Sequence, residues 1–504
     1  MSDASMTFVR HQPAAERSAP VTTTGAIGWA RARLFNSPGN ILITFIGAVI
    51  LWLVIEPTIR FLFVDAVWQG ADRNACLAET AGRPVGACWP FIHAKLGQFI
   101  YGFYPEAQRW RVNIVFALAA ILLLPLLIPR VPGKALNAAL FFIAFPVIAF
   151  FLLHGGGLNG FAVSWLATIL SGLTTNISGV GAALTGYAGA ATIAPLGAVA
   201  AALGVVVSGI GSALALVITP LVLLNDALAV SVRPLWNDFF ITAVVVSVLL
   251  ALFAGGLRTL VKSAVAFAAI GLVMAMLDLA HGGLPIVGTR EWGGLLVTLV
   301  VSVTGIVASM PVGMALALGR RSRIPLIKMF SVVFIEFWRG VPLITVLFFA
   351  TYMLPLFMAG NFTIDGLVRV LIGIALFAGA YNAEIIRGGF AAIPRGQAEA
   401  ATALGLSRWK TIRLVLMPQA LRHVIPSLVN SFIALFKDTT LVLIVSIFDL
   451  LGQLRAAFAD PNWATPTTVF TGFAFTGIIY FVICFAMSRY SLFVERRLNA
   501  HRRR

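Results

Sequence analysis

The sequence predicts an all-α, polytopic membrane protein, and three observations carry that prediction. Of its 504 residues 60% are hydrophobic, only 11% are charged, and the apolar residues collect into runs of membrane-crossing length. A mean hydropathy of +0.95 is outside what a soluble domain tolerates. A helix needs roughly 20 residues to cross about 30 Å of hydrocarbon. Helix is the state such runs must take, because backbone facing lipid has to satisfy its own hydrogen bonds and no alternating barrel pattern is visible.

Taken in order, residues 1–40 are polar, carry Arg10, Arg17, Arg31 and Arg33, and lack an apolar stretch ending in a small-residue cleavage site. They are expected to form a cytoplasmic tail. Spans are expected near 41–63, 112–128, 135–153, 239–256 and 260–280, then near 293–318, 335–358, 366–388, 424–450 and 468–490. The first of these frame an external loop at 65–110 within an N-terminal transmembrane region, 41–154. Residues 155–225 contain no charge, and their Gly and Ala content allows close helix packing, which reads as two more spans; a Gly-rich external loop is the alternative. About twelve spans follow, since an even number must separate the "HGG" turns at 154 and 281 if both face outside.

The net charge of +17 reports orientation, because the cations cluster in short loops and at the C-terminus. "GRRSR" at 319–323, Arg258 with Lys262, Arg130 with Lys134 and the basic end 496–504 all prefer the cytoplasm, as do both termini. Nucleic-acid binding is rejected on that ground. Cys76 and Cys88 share the external loop, where an oxidising compartment permits but does not require a disulfide; Cys484 falls in an apolar span. His11, His93, His154, His281, His423 and His501 show no metal-ligand spacing. No metal, cofactor or catalytic residue is expected.

Between two apolar spans stands "EAATALGLSRWKTIRLVLMPQA", residues 399–420. Pro394 suits the first turn of a helix, and 395–404 continue without a breaker. Gly405 stops that helix by taking the left-handed conformation, and Ser407 is a good N-cap for a second short helix with Arg408, Trp409, Lys410 and Arg413. Pro418 and Pro426 are expected to mark the turn into the next span. Such an elbow, presenting Glu399, the small Ala400 and Ala401 and the aromatic Trp409, suits docking in a groove on another protein. An ordinary positive-inside loop would explain its arginines but not the whole pattern.

That pattern, E-A-A, three residues, Gly405, nine residues and "VLMP", resembles the EAA loop of ABC importer permeases. Val415 and Met417 replace the family's Ile and Leu, both conservatively. "FIEFWRGVPLI" (334–344), "AYNAEIIRGGFAAIPRGQ" (380–397) and "FIALFKDTTL" (432–441) are similar to segments of the polar amino acid branch. "VWQGADRNACL", "RPVGACWPFI", "FYPEAQRWRV" and "FFLLHGGG" are similar to the M subunit of bacterial general L-amino acid transporters. The resemblance covers roughly 1–154 and 282–504, and this chain interposes an extra apolar segment of about 125 residues, 155–281.

The resemblance implies a type I ABC importer transmembrane domain, 288–495, with additional N-terminal helices and a coupling loop at 394–418. It implies residence in the bacterial inner membrane, L-amino acids as cargo and a periplasmic amino acid-binding protein to deliver them. It further implies a second homologous permease subunit in a heterodimer, and two ABC ATPase subunits. Glu399, Ala400, Ala401, Gly405, Ser407, Arg408 and Trp409 would meet the ATPase. The chain has no G-x-x-x-x-G-K-[ST] cradle, so nucleotide energy must come from such a partner.

Charges at membrane depth are the informative ones for a path, because a buried ion is costly unless it meets water or a partner. Lys437 and Asp438, with Thr439 and Thr440, could match the carboxylate and ammonium of an amino acid. An internal ion pair is their other reading. Asn382 and Glu384 are second candidates, whereas Glu336, Arg339 and Arg387 read as structural pairs or snorkelling side chains. An ion-gradient-driven secondary transporter is the alternative function, but it needs no EAA-type elbow. An intramembrane enzyme would show a nucleophile with its base, and none stands out.

Overall fold

The computed structural model describes residues 25–128, 130–156, 162–190, 194–231, 256–278, 283–357 and 364–499, with 239, 243–244, 246–248 and 250–251. Most of the expected span 239–256, the tail before 25, the turn at 281, residues 361–363 and the end beyond 499 lie outside the described residues. Among the described residues the secondary structure is helical, and nine helices are long and apolar enough to cross a membrane, or ten with one bent pair. Two of the expected twelve are thus not among them. One is 239–256; the other is the helix Ala162–Ala190.

The chain divides into two units. The first comprises residues up to His93 together with Pro461–Gly472. Its long helix α1, Pro38–Ile59, begins at Ser37, whose side chain accepts a hydrogen bond from Asn40 N, and buries none of its residues. A 22-residue apolar helix with no protein cover is stable only where lipid is the solvent. Beyond it, a disulfide joins Cys76 to Cys88, settling a pairing that the sequence left open. Trp68 stacks on Trp89 at 5.6 Å, and Thr471 accepts a hydrogen bond from Cys88 N at 2.9 Å.

The second unit comprises Ala94–Asp460 and Phe473 onward. Its core is built from α2 (Arg109–Leu127), Phe145–His154, α3 (Gly294–Arg320), α4 (Pro325–Gly340), α5 (Gly366–Ala391), α6 (Arg395–Ala403) and α7 (Met417–Asp438). Leu296, Val297, Val301, Val370, Ile374 and Leu435 fill one cluster; Leu316, Ile335, Ala383, Ile386, Phe390 and Ala420 fill another. The expected single span 335–358 is broken instead: α4 and the helical run Leu343–Phe357 meet at 103°. Pro342 forces the break, since the residue before a proline is driven out of the helical region, and Val341 is extended at φ −103°, ψ 133°.

Three other prolines bend nothing so sharply. Wide π-type turns at Leu140–Ala144, Phe349–Met353 and Thr411–Leu416 each end two residues before a proline: Pro146, Pro355 and Pro418. A widened turn takes up both the missing N–H and the clash of the ring with the carbonyl four residues back. The turn expected at Pro418 and Pro426 is therefore absent. Pro418 opens α7, Pro426 lies inside it, and the helix runs on from the elbow.

Ala162–Ala190 and Ala194–Ser231 pack on each other as a hairpin. The chain departs for this region and returns to one place, because Gly156 N donates to Leu284 O at 2.7 Å and Val287 N to His154 O at 2.8 Å. Gly155 makes the closure possible: a Cβ there would lie 2.3 Å from Pro285 O, and its φ is +78°.

Candidate functional site

Helix α6 starts after Pro394, which occupies the N-cap position, one residue earlier than the first-turn place expected for it. It ends in a Schellman closure: Gly405 N donates to Thr402 O at 2.9 Å and Leu406 N to Ala401 O at 3.1 Å. Gly405 has φ +73°. Ser407 Oγ then accepts from Lys410 N at 3.5 Å, and Arg408–Lys410 opens the run that becomes α7. The capping residues act within a few positions of each other, which is why this elbow is legible in the sequence.

What the elbow presents is narrower than its motif. Glu399, Ala400, Gly405, Ser407 and Arg408 are exposed. Leu404 and Trp409 stand out beside them at 82% and 61% exposure. Ala401, expected on the docking surface, is corrected: it is 3% exposed, because the buried face of α6 turns it inward. From beneath, Arg408 Nη2 donates to Arg321 O at 2.6 Å, and the Arg321 guanidinium lies 4.7 Å from the Phe390 ring centre. The elbow is thus tied to the 320–324 connection and, through Phe390, to α5.

The residues expected along a substrate path separate into three settings. Asn382 is 0% exposed and its amide is satisfied on both sides: Nδ2 donates to Ser309 Oγ at 3.0 Å, and Ser431 Oγ donates to Asn382 Oδ1 at 3.1 Å. It joins α3, α5 and α7, using one of its two N–H donors and one of its two acceptor positions. Glu384 is also engaged, by Arg387 at 2.5 Å and Arg320 at 3.2 Å, while Arg320 reaches Glu336 at 3.3 Å. Asn382 thus ties helices far apart in sequence, while Glu384 is held both by Arg387, three residues on in the same helix, and by the distant Arg320.

Lys437 and Asp438 differ. Lys437 is exposed and Asp438 half-buried at the end of α7, and among the described residues neither forms an ion pair, with the other or with a third residue. The internal-pair reading of these two therefore does not hold. Thr439 and Thr440 use their hydroxyls locally, donating to Phe436 O at 2.8 Å and Lys437 O at 3.0 Å, as α7 gives way to the 3-10 stretch Thr439–Val445.

Beside them lies a polar group that the sequence reading passed over. Thr439 Oγ1 is 3.5 Å from Tyr480 OH, which donates to Asp449 Oδ2 at 3.1 Å; Asp449 Oδ1 accepts from Gly452 N at 2.9 Å. Asp449 is completely buried, as is Thr298, whose hydroxyl accepts from Leu450 N at 3.0 Å. The signal was an acid directly before the short helix Leu450–Ala457, an N-cap pattern. Among the described residues no group of three or more His, Cys, Asp or Glu side chains could hold a metal ion.

Residues 309–500 match the family described as the binding-protein-dependent transport system inner membrane component. The chain is 35% identical over 496 residues, 98% of each chain, to the inner membrane amino-acid ABC transporter permease protein YhdY of Escherichia coli K12. It is 38% identical over 508 aligned positions, covering 100% of both chains, to the glutamate/glutamine/aspartate/asparagine transport system permease protein BztC of Rhodobacter capsulatus. A crystal structure of an amino acid ABC transporter with histidines aligns with 40% of this chain and 92% of its own at 30% identity and a TM-score of 0.37. An all-helical, multi-pass chain with a hinged EAA elbow and full-length relatives of this kind belongs to the amino-acid ABC transporter permeases.

Proposed function

We propose that this permease forms the translocation path of a type I importer for L-amino acids in a bacterial inner membrane, with both termini cytoplasmic, and that its elbow couples the path to a separate ATPase. One observation carries the reading most directly: Leu404 and Trp409 project beside the left-handed Gly405, while Arg408 pins the elbow to the 320–324 connection. Exposed apolar prongs on a braced support are what transmitted force requires. Closure of two ATPase subunits on ATP would move α6 and α7 as a lever, and cargo and lever need only bias one shared two-state arrangement.

Lys437 and Asp438 are the path residues of choice, because neither charge is used internally. The ammonium of Lys437 would meet the cargo's carboxylate and Asp438 its ammonium, with Thr439 and Thr440 alongside. A second, non-identical permease subunit would complete the path and a periplasmic amino acid-binding protein would deliver to it. The name of BztC makes acidic amino acids and their amides the first cargo to assay.

The test is co-expression with a candidate ATPase and a candidate second permease of the same transporter family, followed by purification and reconstitution with a binding protein. Stable co-assembly and ATP-dependent amino acid uptake are expected. Uptake by the chain in the absence of any ATPase would overturn the reading in favour of an ion-driven carrier.

A further inference from the structure

Lys437 and Asp438 stand where a helix changes kind. They close α7, and the chain then runs for seven residues, Thr439–Val445, as a 3-10 helix before Ser446 turns it with φ +62°. Helices of that kind seldom exceed about three or four residues, because their hydrogen bonds are poorly aligned. A longer one needs support from elsewhere in the fold. The direction of the two charged side chains at its start depends on that support.

One side chain supplies it at both ends. The Tyr480 ring, on the last helix Thr468–Asn499, packs 5.2 Å from the Phe436 ring, and Tyr480 OH lies 3.5 Å from Thr439 Oγ1, both at the start of the stretch. The same hydroxyl donates to Asp449 Oδ2 at 3.1 Å, just past the end of the stretch. Asp449 is a fixed post. It is wholly buried and accepts from Gly452 N at 2.9 Å, and its neighbours are tied to α3 by Leu450 N donating to Thr298 Oγ1 at 3.0 Å and Gly294 N to Phe448 O at 2.9 Å. One turn beyond Tyr480, Cys484 lies near enough to Lys437 to interact with it electrostatically. A tyrosine that served packing alone would need only some acceptor for its proton; this one bridges the two ends of a single irregular segment.

We propose that Tyr480, held by Asp449, is a positioning residue for the amino acid cargo: it clasps the two ends of the 3-10 stretch and thereby sets the direction of Lys437 and Asp438. The inference rests on the reading that these two charges receive the cargo. Neither Tyr480 nor Asp449 touches the amino acid in this assignment; both act through the end of α7. Holding the two charges in place beforehand spares the cost of ordering them when the amino acid arrives.

Tyr480→Phe, Asp449→Asn and the two combined are to be compared with the parent. Hydrogen exchange is followed by mass spectrometry on the full chain in nanodiscs, and equilibrium binding of L-glutamate and L-glutamine is measured on the assembled transporter purified without binding protein. Tyr480→Phe keeps the ring on Phe436 and removes only the clasp. Faster exchange confined to 437–446 is expected, with binding weaker by roughly tenfold, about the worth of one hydrogen bond to a carboxylate. Tm should fall as well, because the buried Asp449 carboxylate loses a donor. The combined variant removes that charge and should recover Tm without recovering affinity, a separation that a purely structural tyrosine would not give; it also carries the test if Tyr480→Phe alone does not fold. Exchange at 437–446 equal to the parent, or affinity that recovers together with Tm, would overturn the clasp. Failure of the underlying reading shows separately, as parental binding by Lys437→Ala with Asp438→Asn, or as a parent that binds neither amino acid.

Discussion

Arg408 donates a hydrogen bond to the Arg321 carbonyl oxygen across 2.6 Å, linking two connections 87 residues apart in sequence. The elbow around Gly405 is therefore not a free loop. It bends at one glycine and is pinned on its far side, the arrangement that the proposed coupling would use to pass a displacement of α6 to the helices below.

Gly405 should tolerate little else. No atom lies within 4 Å of a Cβ built there, so the penalty for substitution is backbone strain at φ +73°, roughly 1–2 kcal/mol for a branched residue. Gly405→Val is expected to reduce uptake while leaving membrane insertion and much of the ATPase turnover intact. Gly405→Asn, which accepts the left-handed region more readily, should be milder. Uptake equal to the parent by the valine variant would remove the hinge from the mechanism.

Lys437→Ala combined with Asp438→Asn should abolish amino acid uptake but preserve association with the ATPase, measured by co-purification and radiolabelled transport. Because neither charge has an internal ion-pair partner, the thermal stability of the double variant should stay close to that of the parent. Retained transport would return both residues to a structural role.

Asn382→Leu tests the opposite assignment. Losing two interhelical hydrogen bonds and orphaning the Ser431 hydroxyl, while Ser309 keeps its own bond to Ile306 O, should cost roughly 1–3 kcal/mol, read as an earlier unfolding midpoint in a denaturing-detergent titration. A variant of parental stability that nonetheless fails to bind cargo would place Asn382 back on the path.

Replacing both Cys76 and Cys88 by Ser opens a loop closed over a separation of 12 residues. The chain-entropy estimate for a ring of that size is about 3 kcal/mol, confined to the first unit. Faster proteolysis between residues 65 and 93 is expected, with cleavage elsewhere unchanged; uniform destabilisation of the whole chain would contradict that confinement.

Deletion of 157–282, with a short Gly-Ser turn from Gly156 to Gly283, should leave insertion and uptake intact, since the two ends already lie in hydrogen-bonded contact. We propose on this ground that the region is an insertion into the bundle. Loss of co-assembly with the other subunits in the deleted chain would instead give it a partner-binding role.

The sequence by itself determined the solvent, the secondary structure and the elbow. Apolar runs and charge-poor composition demand helices in lipid, and Gly405 and Ser407 shape the chain through contacts within five residues. The break at Val341–Pro342 was written there as well, but its hydropathy concealed it. Only the tertiary structure decided which polar residues are already engaged. Asn382 with Ser309, Glu384 with Arg320, Asp449 with Tyr480 and Arg111 with Pro285 are separated by tens of residues from what they touch. A side chain's identity states what it can bond. Whether that capacity is spent internally or left for a ligand depends on which helices the packing brings together.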